Sequence, residues 1–382
     1  MKLYDDFREI VSLIDELENY LNREDYDHAL EAAEEGLEYA KKNLGPNHAA
    51  NALFLNAEIV VHMHKGDLER AEALCGKALK IVESELGREH LDAAAILDWL
   101  ALIHQRNRKY DESEKAYKRV IEILKKNFGP SHPEIALALN HFSVIYIEQG
   151  KVDKAEPLCG EALEILKSRS EYDFNPLEAA LIYHDIALFY FNTGRFKEAK
   201  PLFEKALKIR EDKLGQFSPE LQPVLESLGT IYHLEGALDR AEELLKRSLE
   251  IAVKEYGQDH PDTAAAMNSL AILYTLKRKY EKAGPMHEKA LSILEATYGK
   301  GHPMTSPALS GLAVFHHSNK DYEKAEEFYK KSIRSMEDKE NRINILPVLF
   351  KLAELYRKTG RTEEADSLEA RAEHMSKQPY LH

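Results

Sequence analysis

Two cysteines in 382 residues give no basis for a disulfide framework, which points to a reducing compartment. No run of about eighteen apolar residues occurs, so no transmembrane helix is expected. Lys and Arg never run five together and the net charge is −14, which argues against nucleic acid and against an anionic membrane surface as partners. The opening residues Met1 to Ile10 are acidic and amphipathic with no apolar core, so no secretory leader is expected and the reading is cytoplasmic. The chain has no phosphate-cradling glycine loop, no nucleophile elbow and no Cys-x-x-Cys pair. The expectation is therefore a protein that is not an enzyme and needs no cofactor.

What the chain does have is a period. Gly45, Gly87 and Gly129 stand 42 residues apart, as do Gly215, Gly257 and Gly299. A phrase recurs around them: Leu44-Gly45-Pro46-Asn47-His48, Phe128-Gly129-Pro130-Ser131-His132-Pro133-Glu134, Tyr256-Gly257-Gln258-Asp259-His260-Pro261-Asp262. Self-similarity at one fixed period indicates stacked repeats, each burying its apolar face on its neighbours.

Each period holds two helical patterns. The second opens on Tyr26, Leu68, Tyr110, Val152, Phe196, Leu238, Tyr280, Tyr322 and Thr362, in steps of 40 to 44 residues. Phe196, Ala199, Leu202, Phe203, Ala206 and Leu207 then form one apolar stripe at helical spacing. The small residue three places in lets the two helices of a pair approach closely. Turns are expected near Glu24, Gly66, Lys109, Gly150, Gly194, Gly236, Lys279, Lys320 and Gly360. In the connectors, glycine ends one helix, while proline and an acid suit the start of the next.

These units resemble tetratricopeptide repeats in the 42-residue form of the kinesin light chain. Ala155-Glu156-Pro157-Leu158-Cys159-Gly160-Glu161-Ala162-Leu163 and Ala71-Glu72-Ala73-Leu74-Cys75-Gly76-Lys77-Ala78-Leu79 are similar to that family's second helix. Leu139-Asn140 and Met267-Asn268 resemble its first. The resemblance implies an all-α fold, a right-handed α-solenoid superhelix of about nine tetratricopeptide helix pairs. The units run roughly 3–44, 45–86, 87–128, 129–170, 171–214, 215–256, 257–298, 299–338 and 339–376 of a single array over 1–382. The repeats begin within the first residues, without the family's long heptad coiled coil, so a motor subunit is not expected. Two connectors are irregular: Glu171 to Glu178 lacks Gly and His, and Met336 to Leu346 is short.

The recurring His48, His90, His132, His260 and His302 raise the question of metal. Neighbouring units pack roughly 8–10 Å apart, whereas zinc ligands sit about 2.0–2.1 Å from the ion. One histidine per unit cannot converge, so these residues are read as hydrogen-bonding the connector and no metal is expected. Cys75 and Cys159 lie two units apart, on the order of 20 Å, beyond the roughly 7 Å that a disulfide spans. They read as buried thiols.

In tetratricopeptide arrays the first helices line the concave face. The family's ligand-facing track maps to Asn56, Asp98, Asn140, His184, Glu226 and Asn268, with Arg106 and Asn192 further along the helices. An amide there can donate to and accept from a peptide backbone. Trp99, the only tryptophan, lies beside the track, where packing and anchoring a ligand both remain open. The reading is a non-enzymatic scaffold that binds a protein or peptide partner, with a peptide-responsive sensor controlling an effector as the alternative. The oligomeric state stays open.

Overall fold

The computed structural model describes residues 2–168, 174–336 and 342–377. Among them are eighteen α-helices in nine antiparallel pairs. They are α1 Lys2–Asn22 with α2 Tyr26–Asn43, α3 Ala50–Lys65 with α4 Leu68–Glu85, and α5 Leu91–Arg106 with α6 Tyr110–Phe128. Next come α7 Pro133–Glu148 with α8 Val152–Ser168, α9 Pro176–Asn192 with α10 Phe196–Leu214, and α11 Gln222–Leu234 with α12 Leu238–Tyr256. The last are α13 Pro261–Leu276 with α14 Tyr280–Tyr298, α15 Ser306–Ser318 with α16 Tyr322–Ser335, and α17 Arg342–Lys358 with α18 Thr362–Lys377. All nine residues expected to open a second helix are the first residues of α2, α4 and their counterparts.

Two kinds of turn alternate, and their backbones explain their residues. Within a pair, the residue two places before the second helix is left-handed: Gly66 has φ 76° and Gly236 φ 79°, but Glu24, Arg108, Arg278 and Lys320 adopt φ 56° to 65° at the same place. At two turns the sequence reading is one residue off: the left-handed residues are Arg108 and Arg278, and Lys109 and Lys279 are the N-caps that follow. Between pairs the demand is stricter. Gly129, Gly215 and Gly257 combine φ 81° to 89° with ψ 166° to 172°, a region open almost only to glycine. That is why the connector holds its glycine while the turn does not.

The connector histidines cap the helix that follows. The Nδ1 of His90, His132 and His260 accepts the backbone N–H two residues on, at 3.2 to 3.4 Å. The ring also stacks on the aromatic residue that precedes the glycine, as Phe128 on His132 at 4.1 Å and Tyr256 on His260 at 4.8 Å. Where histidine is missing, Asn175 and Ser218 make the same bond for Leu177 and Glu220. Residues 169–173 at the Glu171 connector, and residues 337–341 of the Met336 segment, lie outside the described residues.

The small residue three places into the second helix has no exposed surface in any pair: Ala29, Ala71, Ser113, Ala155, Ala199, Ala241, Ala283, Ala325 and Ala365. Ser113 shows how close the partner runs, since its hydroxyl donates to the Ala101 carbonyl of α5 at 2.6 Å. Second helices keep one polar face outward, whereas first helices are covered on most sides by their own partner and by the next pair.

The helices gather into two compact units, Met1–Phe174 and Asn175–His382, divided at the connector that lacks glycine. Each is an α-solenoid of stacked pairs. The first carries 22 Lys and Arg against 34 Asp and Glu, a net of −12; the second carries 30 against 32, a net of −2. Among the described residues no helix is long and apolar enough to cross a membrane.

Candidate functional site: the first-helix faces

The outward stripe of each first helix repeats at four register positions, and its character differs between the units. In the N-terminal unit the stripe of α5 is Ala95, Trp99, Leu102 and Arg106. Ala95 and Arg106 at its ends are exposed, and Trp99 and Leu102 between them are half-buried. On α3 the stripe begins at exposed Leu53, and on α7 it ends at exposed Glu148. Ala95 lies one turn before Trp99 and Leu102 one turn after it, and the indole between them is half-buried. In the C-terminal unit α9 presents Leu177, Leu181 and Leu188, each about a third exposed, and ends on exposed Asn192. Leu234 and Leu276 end α11 and α13 in the same way.

The expected binding track lies at the seam between the stripe and the pair's interior. Asn56, Asp98, His184 and Glu226 are half-buried, while Arg106 and Asn192 stand in solvent. Asn140 and Asn268 do not face a groove. Asn140 has no exposed surface and Asn268 has 5%, so the expectation that these two amides are open to a ligand is corrected. The reason is visible at Asn268. Its Oδ1 accepts from His287 Nδ1 at 2.8 Å, and its Nδ2 donates to the Pro307 carbonyl of the next pair at 3.2 Å. Oδ1 can only accept, so the His287 proton sits on Nδ1 and bare Nε2 faces the Thr275 hydroxyl at 3.4 Å. Gly311 makes room for this lock: a Cβ there would stand 2.7 Å from the His287 ring and overlap Asn268 Oδ1. Burial pulls His287 down to about 4, with His316 adding to the effect.

The residue opposite the track lies seven places after the start of each second helix. It is Ala33, Cys75, Cys159, Phe203 and Leu245 in five pairs, and out of pattern Tyr117, His287, Tyr329 and Glu369 in four. His184 packs edge-on against Phe203 at 5.7 Å. Cys75 and Cys159 are buried and form no disulfide among the described residues, and burial pushes Cys75 up to about 12, far from reactive thiolate. The polar members at this register were missed from sequence; aligning the second helices on their alanine exposes them as exceptions.

Electrostatics along the track follow burial. Glu226 is raised, first by burial, although it accepts from the Ser248 hydroxyl at 3.0 Å. Asp98 lies 3.7 Å from His141 Nδ1 on α7, and Glu148 of α7 accepts from the Gln105 amide of α5 at 2.8 Å. Both carboxylates therefore belong to the furrow between α5 and α7.

A second concavity has different chemistry. A recess of about 660 Å³ on the second-helix side of the C-terminal unit is lined in part by Asp239, Glu242, Lys246, Lys277 and Lys279. Lys246 at 2.8 Å and Lys277 at 2.6 Å hold Glu242 far below the usual carboxylate range. Lys277 also meets Asp239 at 2.7 Å, so these five charges satisfy one another. Among the described residues no three His, Cys, Asp or Glu side chains gather as a metal site.

Comparison with solved structures agrees on the fold. The chain superposes on the apo form of RapI with a TM-score of 0.74 at 14% identity, covering 97% of this chain and 98% of that one. It superposes on the apo form of the quorum sensor NprR from B. thuringiensis with a TM-score of 0.68 at 16% identity, covering 97% and 99%. A Rap protein complexed with competence and sporulation factor gives 0.61 at 16%, covering 97% and 98%. At these identities the likeness is one of fold. No curated relative matches the sequence. Tetratricopeptide-repeat profiles match residues 92–168, then 178–251, 220–296, 264–338 and 305–378, with a second form of the repeat at 19–50 and 60–92. Over most of its length, then, the stacking of paired helices is that of known repeats, and the chain belongs to the tetratricopeptide-repeat family.

Proposed function

We propose that the protein is a non-enzymatic adaptor that captures a peptide segment of a partner protein along its first-helix faces. One observation carries this reading. The first helices, though covered on most sides, keep an outward stripe that mixes open apolar side chains with unburied polar ones. A face needed only for packing would bury the leucines; one needed only for solubility would replace them. Asn56, Asp98, His184, Glu226, Arg106 and Asn192 are the proposed polar contacts. Asn140 and Asn268 are left out because they lie inside the stack itself.

The test is affinity capture with the full chain, repeated with Arg106→Ala combined with Asn192→Ala and with the second-helix pair Lys118→Ala and Lys246→Ala. Loss of the captured protein in the first variant alone supports the reading. Loss in the second alone removes it.

A second reading rests on the near end-to-end likeness to NprR, which is described as a quorum sensor, and to a Rap protein complexed with competence and sporulation factor. The chain would then be a peptide-responsive regulator whose helices draw together on binding. Small-angle scattering distinguishes the two: compaction on adding peptide favours the sensor, unchanged dimensions favour the adaptor.

A further inference from the structure

We infer that the furrow between α5 and α7 is a recognition site for an extended, cationic segment of the partner, with an arginine seated against Asp98 and Trp99. The inference deepens the proposed function and rests on it.

Three independent features meet there. First is charge: the N-terminal unit carries a net −12 and its counterpart −2. In the furrow, the groups that hold the two carboxylates are an amide and an imidazole: Gln105 donates to Glu148, and His141 lies beside Asp98. Second is the aromatic face. Trp99 follows Asp98 on α5, and its half-buried indole keeps part of its surface in solvent. A guanidinium can stack on an indole while its N–H groups meet a carboxylate, a combination that an ammonium matches less well. Third is a buried group in need of a partner. Tyr117 of α6 has no exposed surface, and its hydroxyl makes no hydrogen bond among the described residues. Its ring lies 6.3 Å from that of His141, which is itself 3.7 Å from Asp98. Buried polar groups are ordinarily satisfied, and this one stands unmet beside the His141 edge of the furrow.

The geometry also sets a spacing. Asp98 and Glu148 occupy register positions eight residues apart on neighbouring first helices, roughly 12 Å along the axis at about 1.5 Å per residue. An extended strand covers that distance in about four residues at roughly 3.3 Å each. The fitting segment has cationic residues at positions i and i+4 with apolar residues between them, which meet the half-buried Leu102 and Val144.

The sole tryptophan provides the readout. The probe is a capped peptide reading Ser-Arg-Leu-Ser-Leu-Arg-Ser, titrated into the full chain while Trp99 emission is followed. Its counterpart carries Glu in place of both Arg. The expected result is saturable binding of the arginine peptide, weakened by salt, with no saturation by the glutamate peptide. Asp98→Asn combined with Glu148→Gln should weaken binding by about tenfold, a size typical of two partly exposed ion pairs. Glu35→Gln combined with Glu38→Gln removes the same charge from the exposed face of α2 and should change affinity less than twofold. Equal loss in both double variants would overturn the site, because attraction would then come from net charge alone. Tighter binding of the glutamate peptide would overturn the cationic preference while leaving peptide capture standing. Failure of both peptides, together with no partner lost in the capture experiment with Arg106→Ala and Asn192→Ala, would remove the inference and the reading beneath it.

Discussion

The two units are built from one repeat and have come to differ in what they do with the same register. In the N-terminal unit the track residue Asp98 is half-buried 3.7 Å from His141, within a unit whose net charge is −12. In the C-terminal unit the equivalent Asn268 faces His287, and the pair is sealed beneath Gly311. Asp98 keeps part of its surface in solvent, whereas Asn268 ties α13 to α15. A register position therefore assigns a place in the fold, and the neighbouring residues decide whether that place is a site or a strut.

The largest effect expected from this contrast is on acid stability. His287 is held down to about 4 by burial, from an ordinary value near 6.5. The unfolded chain therefore binds a proton before the folded one does. The stabilisation is whole above pH 6.5 and is lost as pH falls towards 4, by about 3 kcal/mol at about 1.36 kcal/mol per pKa unit. Burial pushes His62 and His104 of the N-terminal unit in the same direction, so both units weaken in acid. The comparison sharpens if His287→Gln flattens the pH dependence of the C-terminal unit in denaturant titrations and leaves that of the N-terminal unit alone. It breaks if His287→Gln changes neither curve.

Next in size is Gly311→Ala. The new methyl must displace Asn268 or the His287 ring, and overpacking a tight contact costs about 1–3 kcal/mol. Circular dichroism should show an earlier transition for part of the helix signal. Trp99 fluorescence, which reports the N-terminal unit, should be unchanged. An equal shift in both signals would mean that the units unfold as one body.

A smaller effect should be common to both units. His132→Ala and His260→Ala each remove a ring acceptor from a helix start, worth about 1 kcal/mol. The two losses should agree within a few tenths. A substantially larger loss at one of them would mean that its stacked partner, Phe128 or Tyr256, contributes more than its counterpart does.

Much of this architecture is legible in the chain. The opening residue of every second helix, the buried small residue three places later and the connector histidines all recur at a fixed period, and a period survives without knowledge of the third dimension. Where reading falls short, the cause is local geometry. Lys109 and Lys279 read as turn residues because no glycine marks the left-handed position, which Arg108 and Arg278 fill. Asn140 and Asn268 read as ligand-facing because helical register gives a direction but not the closeness of the neighbour lying in that direction. For Asn268 a signal is present: glycine at 311, where most other first helices carry a bulkier residue, announces a close approach. For Asp98 the companion signal is Tyr117, a hydroxyl at a register otherwise held mainly by apolar side chains.

The central claim, that the first-helix faces are the working surface, is most directly tested by hydrogen exchange on the full chain with and without its captured partner. The account predicts added protection in α5, α7, α9 and α11, with exchange unchanged along the outer faces of α6 and α12. Protection confined to α6 and α12, with the first helices unaffected, would contradict it and transfer the function to the second-helix surface.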